Sequence, residues 1–389
     1  MALALPFLVL ATAFGRWPHG AVAQRLGFVT APKGSIWIHA ASVGEAASVR
    51  GIVAALAQDT PVLMTVNTAT ACAIVAGWGT AQVALAPFDT GGSAARLIGR
   101  VRPCAHVTVE SELWPARMAA LSRTQVPVIA LGARMSARSA GRWRWAAGVM
   151  RRMLASVSYL SAQDAGSEAR FLALGLPQAA LGPRVNLKAF VPGNATVQGP
   201  VPRARCLLAA STHDGEDAPI LQAFKAAQDA GLFDLLILAP RHPKRGDAVA
   251  QAIATAGLRF GRRSKGDALA GNPPVYLADT VGEMDQWYAM AGVTIVGGSY
   301  ANHGGHTPFE PAAAGSAIIH GPYVSNFTDS YAALDAVGGA MTGDLTQALL
   351  GMTPIRQTGM AAIARGVLAP QGDLMDLVTM IRQRAKVAE

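Results

Sequence analysis

Charge is scarce in this chain. Asp, Glu, Lys and Arg together make up only 15% of the 389 residues, while hydrophobic residues make up 51% and mean hydropathy is +0.29. That composition excludes a disordered chain held open by charge and predicts a large buried interior. Cysteine is scarcer still. Cys72, Cys104 and Cys206 are odd in number, far apart and outside any CxxC, which excludes a disulfide framework and a zinc ribbon and predicts a reducing cytosol. His303 and His306 have a spacing a metal could use, but no Cys or carboxylate cluster completes four ligands nearby, so no metal is expected. Long apolar runs are also missing. Ala2 to Phe14 spans thirteen residues, short of the roughly 20 that a spanning helix needs.

That run still suits a monotopic anchor, because Arg16, Arg25 and Lys33 follow it with no intervening acid. Ala21-Val22-Ala23 resembles a signal-peptide cleavage site, yet no Lys or Arg precedes the run, so the anchor is the preferred reading for residues 1–30. The small acidic count, 24 against 33 basic residues, leaves a formal charge of +9, which calls for an anionic partner.

From Ser35 onward, apolar strand-length runs alternate with helix-length amphipathic stretches, the pattern of βα units on a parallel sheet. Strands are predicted at Ile36 to Ala40, Val62 to Val66, Val83 to Ala86, Val107 to Val109, Val128 to Leu131 and Tyr159 to Ala162. The alternation lapses over 191–205, read as a linker, and resumes at Cys206 to Ala210, Leu235 to Ala239, Val275 to Ala278, Val293 to Val296 and Ala317 to His320. Two α/β domains in tandem, 31–190 and 206–372, are followed by a helix over 373–389 with Leu374, Leu377, Val378 and Ile381 on one face.

Ligands of such sheets bind beyond the carboxyl ends of the strands, and the polar clusters of this chain lie there. After the first strand, Ser42 and Glu45 have capping-box spacing, and Glu45 could equally serve as a proton acceptor. Glu110 and Glu112 follow the fourth strand between apolar neighbours, an arrangement expected to raise one carboxyl pKa. Arg134, Arg138, Arg142, Arg144, Arg151 and Arg152 then occur without any acid and with Trp143 and Trp145 interleaved, which suits a phosphorylated amphiphile better than nucleic acid and also fits a solvated basic helix face. In the second half, Arg241 stands between Pro240 and His242-Pro243 at a strand end, placed to meet a phosphate. Thr280 with Glu283, and Thr307 with Glu310 around Pro308 at a first helical position, are further capping-box candidates whose helix starts could offer N–H groups to a nucleotide.

ASVGE at 41–45, PFD at 87–89, ESELWP at 110–115, ARMSARS at 133–139, ASTHDGE at 210–216, PRHP at 240–243, DTVGEM at 279–284 and GGHTPFEP at 304–311, in this order, resemble the 3-deoxy-D-manno-octulosonic acid (Kdo) transferase family over most of the chain. The resemblance implies a GT-B architecture, two Rossmann-like domains facing across a cleft, with acceptor on the first and CMP-Kdo on the second. It implies inverting transfer of Kdo to a lipid A precursor at the cytoplasmic face of the inner membrane, on an anionic membrane surface, without metal or other cofactor. By resemblance Glu45 is the general base and Glu110 and Lys188 stabilise the transition state. Pro240, Arg241, Val281, Gly282, Glu283, Thr307, Pro308, Phe309 and Glu310 hold CMP, Glu310 on the ribose, and Arg134 and Arg138 are assigned to the acceptor. Two departures stand out: Thr307 replaces the family's Asn, and Val185-Asn186-Leu187-Lys188 replaces Gly-Ser-Leu-Lys. Another CMP-activated acidic sugar or acceptor, and a non-catalytic lipid- or nucleotide-binding paralogue, are the alternatives.

Overall fold

The computed structural model describes residues 20–110, 112–190 and 197–386; the proposed anchor at 2–14 and part of the predicted linker, 191–196, lie outside them. The chain divides into two compact units, 1–190 with 370–389, and 191–369.

Unit 1 is built on β1 (Ile36–His39), β2 (Val62–Val66), β3 (Gln82–Leu85), β4 (Ala105–Val109), β5 (Val128–Ala133) and β6 (Val157–Ala162). All pair in parallel, in the order β3-β2-β1-β4-β5-β6. The strands read as nearly unbroken apolar runs because helices cover both faces. Along β1, Ile36 and Ile38 enter one core and Trp37 the other, the alternation a pleated strand imposes. The order reverses between β1 and β4, so their carboxyl ends flank the switch point where doubly wound sheets bind ligands.

Residues 21–30 pack onto this unit. Gln24 accepts the Leu85 N–H, and the Arg25 guanidinium donates to the carbonyls of Asn67 and Ala86 at 2.6 and 2.8 Å. Among the described residues no helix is long and apolar enough to cross a membrane. The closing helix Leu374–Lys386 is no separate element: Leu377, Val378 and Ile381 join the core of unit 1 against the helix Arg50–Leu56. Burying such side chains is worth about 1.5–3 kcal/mol each.

Unit 2 repeats the plan with β7 (Cys206–Thr212), β8 (Leu235–Pro240), β9 (Phe260–Arg262), β10 (Val275–Leu277), β11 (Val293–Val296), β12 (Ala317–His320) and β13 (Ala340–Thr342), all parallel, in the order β13-β12-β11-β7-β8-β10-β9. The two edge strands, β9 and β13, were not predicted. Each has three residues, and an edge strand meets solvent, so neither carries an apolar run. The latter part of the predicted linker is fastened down, because Arg203 donates to the carbonyls of Ala289, Ala314 and Gly315 and thereby closes a corner of unit 2.

Candidate active site

The carboxylates of unit 1 gather at its switch point. Ser42 caps the helix Val43–Ser48 by accepting the Glu45 N–H at 3.3 Å, and the Glu45 carboxylate turns back to accept from the Ala41 N–H at 2.8 Å and the Ser42 hydroxyl at 3.0 Å. The capping reading is therefore correct, and it does not disable the carboxylate, since each oxygen retains a lone pair. Burial pushes the Glu45 pKa up to about 7; the Ala41 N–H opposes this, while the charges of Glu110 and Glu112 add to it. A group titrating there accepts or gives a proton readily at neutral pH.

Glu110 sits on strained backbone, φ 54°, directly after β4. It is pinned by its own N–H to the Leu131 carbonyl at 3.0 Å, and its Oε1 accepts from Lys188 Nζ at 2.7 Å across 78 residues of chain. Glu110 and Lys188 are thus one ion pair, largely shielded from solvent. The Asn186 departure has a local role: its Oδ1 accepts the Lys188 N–H at 3.1 Å, tying down the turn that presents the lysine.

Glu112 is not the raised member of the Glu110 and Glu112 pair. Burial raises its pKa, but hydrogen bonds from His39 Nε2 at 3.1 Å and Trp114 Nε1 at 2.6 Å, with the charge of Arg117, hold it below the ordinary carboxylate range. The raised carboxyl is Glu45, through burial first, with the charges of Glu110 and Glu112 adding to it. His39 is fully buried and held down to about 4, by burial first and the Arg117 charge second, so it is neutral. Its Nε2 faces Glu112, its Nδ1 lies 3.0 Å from both the carbonyl oxygen and the hydroxyl of Thr65, and Trp37 Nε1 donates to that hydroxyl at 2.8 Å.

The sequence reading missed the support beneath this loop. Asp89, from the PFD block, accepts the N–H groups of Ala116 and Arg117 at 3.1 and 2.8 Å and so caps the helix Pro115–Arg123 from a different βα loop. Arg117 itself is 2% exposed with its guanidinium 5.4 Å from the Trp37 ring centroid, and its Nε and Nη1 have no hydrogen-bond partner among the described residues. Burial lowers its pKa to about 10, against the charges of Glu112 and Asp89. An apolar helix position gives no hint of an arginine used inward, so no sequence signal pointed to it.

The basic stretch is a surface. Arg134 is half-buried, whereas Arg138, Arg142, Arg144, Arg151 and Arg152 are exposed and the helix Ala137–Trp143 buries no residue. Trp145, on the turn between that helix and the helix Ala147–Ala155, is 95% exposed. Ser139, Arg142, Trp143 and Ala146 line a hollow of about 340 Å³ beside it.

In unit 2 the predicted nucleotide residues sit on loops after β8, β10 and β11. Pro240 closes β8, and Arg241 follows it exposed, its own N–H held by the Thr212 carbonyl at 3.0 Å. The 280–283 segment does not form a capping box, because the helix starts only at Met284; Thr280 donates to Glu283, and Arg263 clamps the same carboxylate at 2.6 Å. Gly282 takes φ 92°, and Val281 is 58% exposed. The next helix begins at Phe309, one residue later than predicted, with Pro308 at the cap and Thr307 Oγ1 accepting the Phe309 N–H at 3.3 Å. Glu310 lies 3.5 Å from the Tyr288 hydroxyl.

The residue that joins these loops is Glu216, also missed. Fully buried, it accepts from the N–H groups of His213 and Gly298 at 2.8 and 2.7 Å and from Tyr300 and Ala301 at 2.9 and 3.1 Å. The loop after β7 is thereby riveted to the loop after β11. Contact is close enough that a Cβ at Gly297 would lie 2.4 Å from the Ser211 carbonyl oxygen. Among the described residues no group of three or more His, Cys, Asp or Glu is arranged to hold a metal.

Comparison with known proteins gives a consistent picture. The 3-deoxy-D-manno-octulosonic-acid transferase (kdotransferase) family matches residues 20–191. A 3-deoxy-D-manno-octulosonic acid transferase of Bordetella pertussis is 35% identical over 354 residues, 85% of this chain and 82% of the relative. One from Haemophilus influenzae is 34% identical over 337 residues, covering 82% and 79%. Among solved structures, UDP-GlcNAc 2-epimerase from Neisseria meningitidis aligns with TM-score 0.59 over 90% of this chain and 99% of its own at 12% identity, a likeness of fold alone. That fold is GT-B, as the sequence reading had it.

Proposed function

Since the chain belongs to the 3-deoxy-D-manno-octulosonic acid transferase family, a family of glycosyltransferases, we propose that it transfers Kdo from CMP-Kdo to a lipid A precursor with Glu45 as general base. The observation that carries the proposal is the carboxylate cluster at the switch point of unit 1, where burial raises Glu45 to about 7. Ionised Glu45 takes the proton of an acceptor hydroxyl as its oxygen attacks the anomeric carbon. The bond from that carbon to the phosphate oxygen breaks, CMP departs with the bonding pair, and the centre inverts.

Glu110, fixed by Lys188, offers negative charge to the cationic sugar of the transition state, and its strained backbone is consistent with a group placed for chemistry. In unit 2, Arg241 neutralises the departing phosphate, so the reaction needs no metal for that purpose. The loop 281–283 receives the base, and Thr307 to Glu310 the ribose. Thr307 carries a hydroxyl acceptor already turned to the Phe309 N–H, so it supports that loop from within where the family's Asn stands.

The acceptor is a phosphorylated, acylated glucosamine disaccharide. Arg134 and Arg138 bind its phosphate, while Trp145 and the exposed arginines rest on an anionic membrane surface at the cytoplasmic face of the inner membrane, the tryptophan at headgroup depth.

Incubating the full chain with CMP-Kdo and lipid A precursor tests the proposal: CMP release must match a glycolipid heavier by one or more Kdo units. Turnover with a different CMP-activated acidic sugar and none with CMP-Kdo would redirect the donor assignment. Nucleotide binding with no turnover on any acceptor would favour the non-catalytic paralogue.

A further inference from the structure

Among the described residues, four other than glycine have a positive φ: Arg102, Glu110, Gln125 and Ser211. Arg102 and Gln125 follow the helices Gly91–Val101 and Pro115–Arg123, where a left-handed residue is an ordinary way to end a helix. Glu110 and Ser211 lie instead at the carboxyl ends of strands. In unit 1 that residue is the carboxylate paired with Lys188 beside the switch point. Ser211, φ 58°, is its counterpart in unit 2, where the strand order reverses between β7 and β11. The reaction scheme gives it no part.

The neighbours of Ser211 hold it there. Ala210 pairs with Ala239 and Thr212 with Pro240, so Ser211 is the extra residue of a bulge in β7. The Ala210 carbonyl accepts the Gly297 N–H at 2.8 Å, and the Ser211 carbonyl lies where a Cβ at Gly297 would otherwise be. On the other side the Thr212 carbonyl accepts from the Arg241 N–H and from Arg245 Nη1, both at 3.0 Å, and Thr212 Oγ1 donates to Asp217 at 2.9 Å. A left-handed backbone is costly for a residue with a Cβ, and Asn or Asp offset the cost with a local side-chain hydrogen bond. Ser211 does not: its side chain is half-buried, and its hydroxyl makes no hydrogen bond among the described residues. A bulge at a strand end re-aims one side chain, here a hydroxyl at the switch point, one residue from the carbonyl that holds Arg241.

We propose that Ser211 is a donor-binding residue: its hydroxyl donates a hydrogen bond to a phosphate oxygen of the CMP-sugar, beside the Arg241 guanidinium. The proposal rests on the reading of unit 2 as the donor unit. On that reading, position selects the part of the donor. β7 lies between β8, whose loop carries Arg241, and β11, whose loop leads to 307–310, while the base loop 281–283 follows β10 on the far side of β8. Ser211 is thus flanked by the phosphate arginine and the ribose loop and kept from the base. Of those two neighbours the phosphate gains more from a hydroxyl, since a hydrogen bond to a charged partner is about twice as strong as a neutral one.

Ser211→Ala and Ser211→Gly both remove the hydroxyl, but alanine keeps the left-handed strain and glycine relieves it. CMP binding to the full chain is followed by calorimetry, with cytidine as the probe that lacks the phosphate. Both variants should bind CMP about tenfold to hundredfold more weakly than wild type, the loss expected when one hydrogen bond to a charged group is removed, and cytidine within about twofold of wild type. Ser211→Gly should unfold in urea no more readily than wild type, so that its loss of CMP affinity is no folding defect. Wild-type CMP affinity in both variants, a loss in Ser211→Ala that Ser211→Gly restores, or an equal loss for cytidine and CMP would each overturn the proposal. A rise in KM for CMP-Kdo with CMP binding unchanged would place the hydroxyl on the sugar, and the phosphate assignment would fall. Failure of wild type to bind CMP at all would instead remove the donor reading, and this role of Ser211 with it.

Discussion

A raised carboxyl pKa has a thermodynamic signature that does not depend on any substrate. Glu45 titrates at about 7 in the fold against 4.5 for the free group. The folded protein therefore binds the proton more tightly than the unfolded chain, and ionising Glu45 costs stability. The cost is absent below pH 4.5, grows through the window from 4.5 to 7 and is complete above 7. At about 1.36 kcal/mol per pKa unit the ceiling is about 3 kcal/mol, and the half-buried position of the carboxylate reduces it to about 1–2 kcal/mol. Glu45→Gln removes the ionisation and can still accept from Ala41 and bond Ser42. The variant should thus be more stable than wild type by about 1–2 kcal/mol at pH 8, with little of that gain at pH 5. Urea unfolding followed by tryptophan fluorescence suits the measurement, because six of the seven tryptophans lie in unit 1 and only Trp287 in unit 2. A variant less stable at pH 8 than at pH 5 relative to wild type, or a difference that ignores pH, would refute the assignment of Glu45 as a destabilised, desolvated carboxylate.

Other consequences are equally direct. Glu216→Gln replaces an acceptor of four backbone N–H groups with a side chain that can serve only some of them; it should destabilise unit 2 by about 3 kcal/mol and weaken CMP binding at least tenfold, seen in calorimetry and in the Trp287 signal. Arg117→Met should leave the melting temperature unchanged or raise it, since the guanidinium is buried with two orphaned nitrogens; a loss above about 2 kcal/mol would mean that the charge itself holds the fold. Arg142→Gln with Arg144→Gln should lower partitioning onto anionic vesicles by about 2 kcal/mol, roughly thirtyfold, with stability unaltered, as measured by co-sedimentation.

The sequence made the frame readable because both sheets are parallel and covered on both faces. Central strands such as Ile36–His39 and Val293–Val296 then consist of apolar residues throughout, and each ends where the polar clusters begin. The edge strands of unit 2, β9 and β13, escaped for the opposite reason, being short and partly wet. Candidate side chains were legible as local blocks, so Glu45, Glu110 and Arg241 were named from the segments that carry them. What was hidden was every relation between blocks: the Lys188–Glu110 pair spans 78 residues, Asp89 caps a helix 27 residues on, and Glu216 rivets a loop more than 80 residues away. Spacing along a chain encodes neighbours on one helix or strand, and these contacts arise from which strands lie side by side. The helix starts near Glu283 and Glu310 slipped for a smaller reason, since Gly282 and Pro308 delay the first turn.

Turnover of Glu45→Gln with CMP-Kdo and lipid A precursor tests the central claim most directly. The account predicts a fall in kcat of about a hundredfold to ten-thousandfold, with CMP affinity within twofold of wild type and the rate of the wild type rising with pH through about 7. A variant that keeps kcat within threefold of wild type would contradict it, and the base would have to be sought elsewhere.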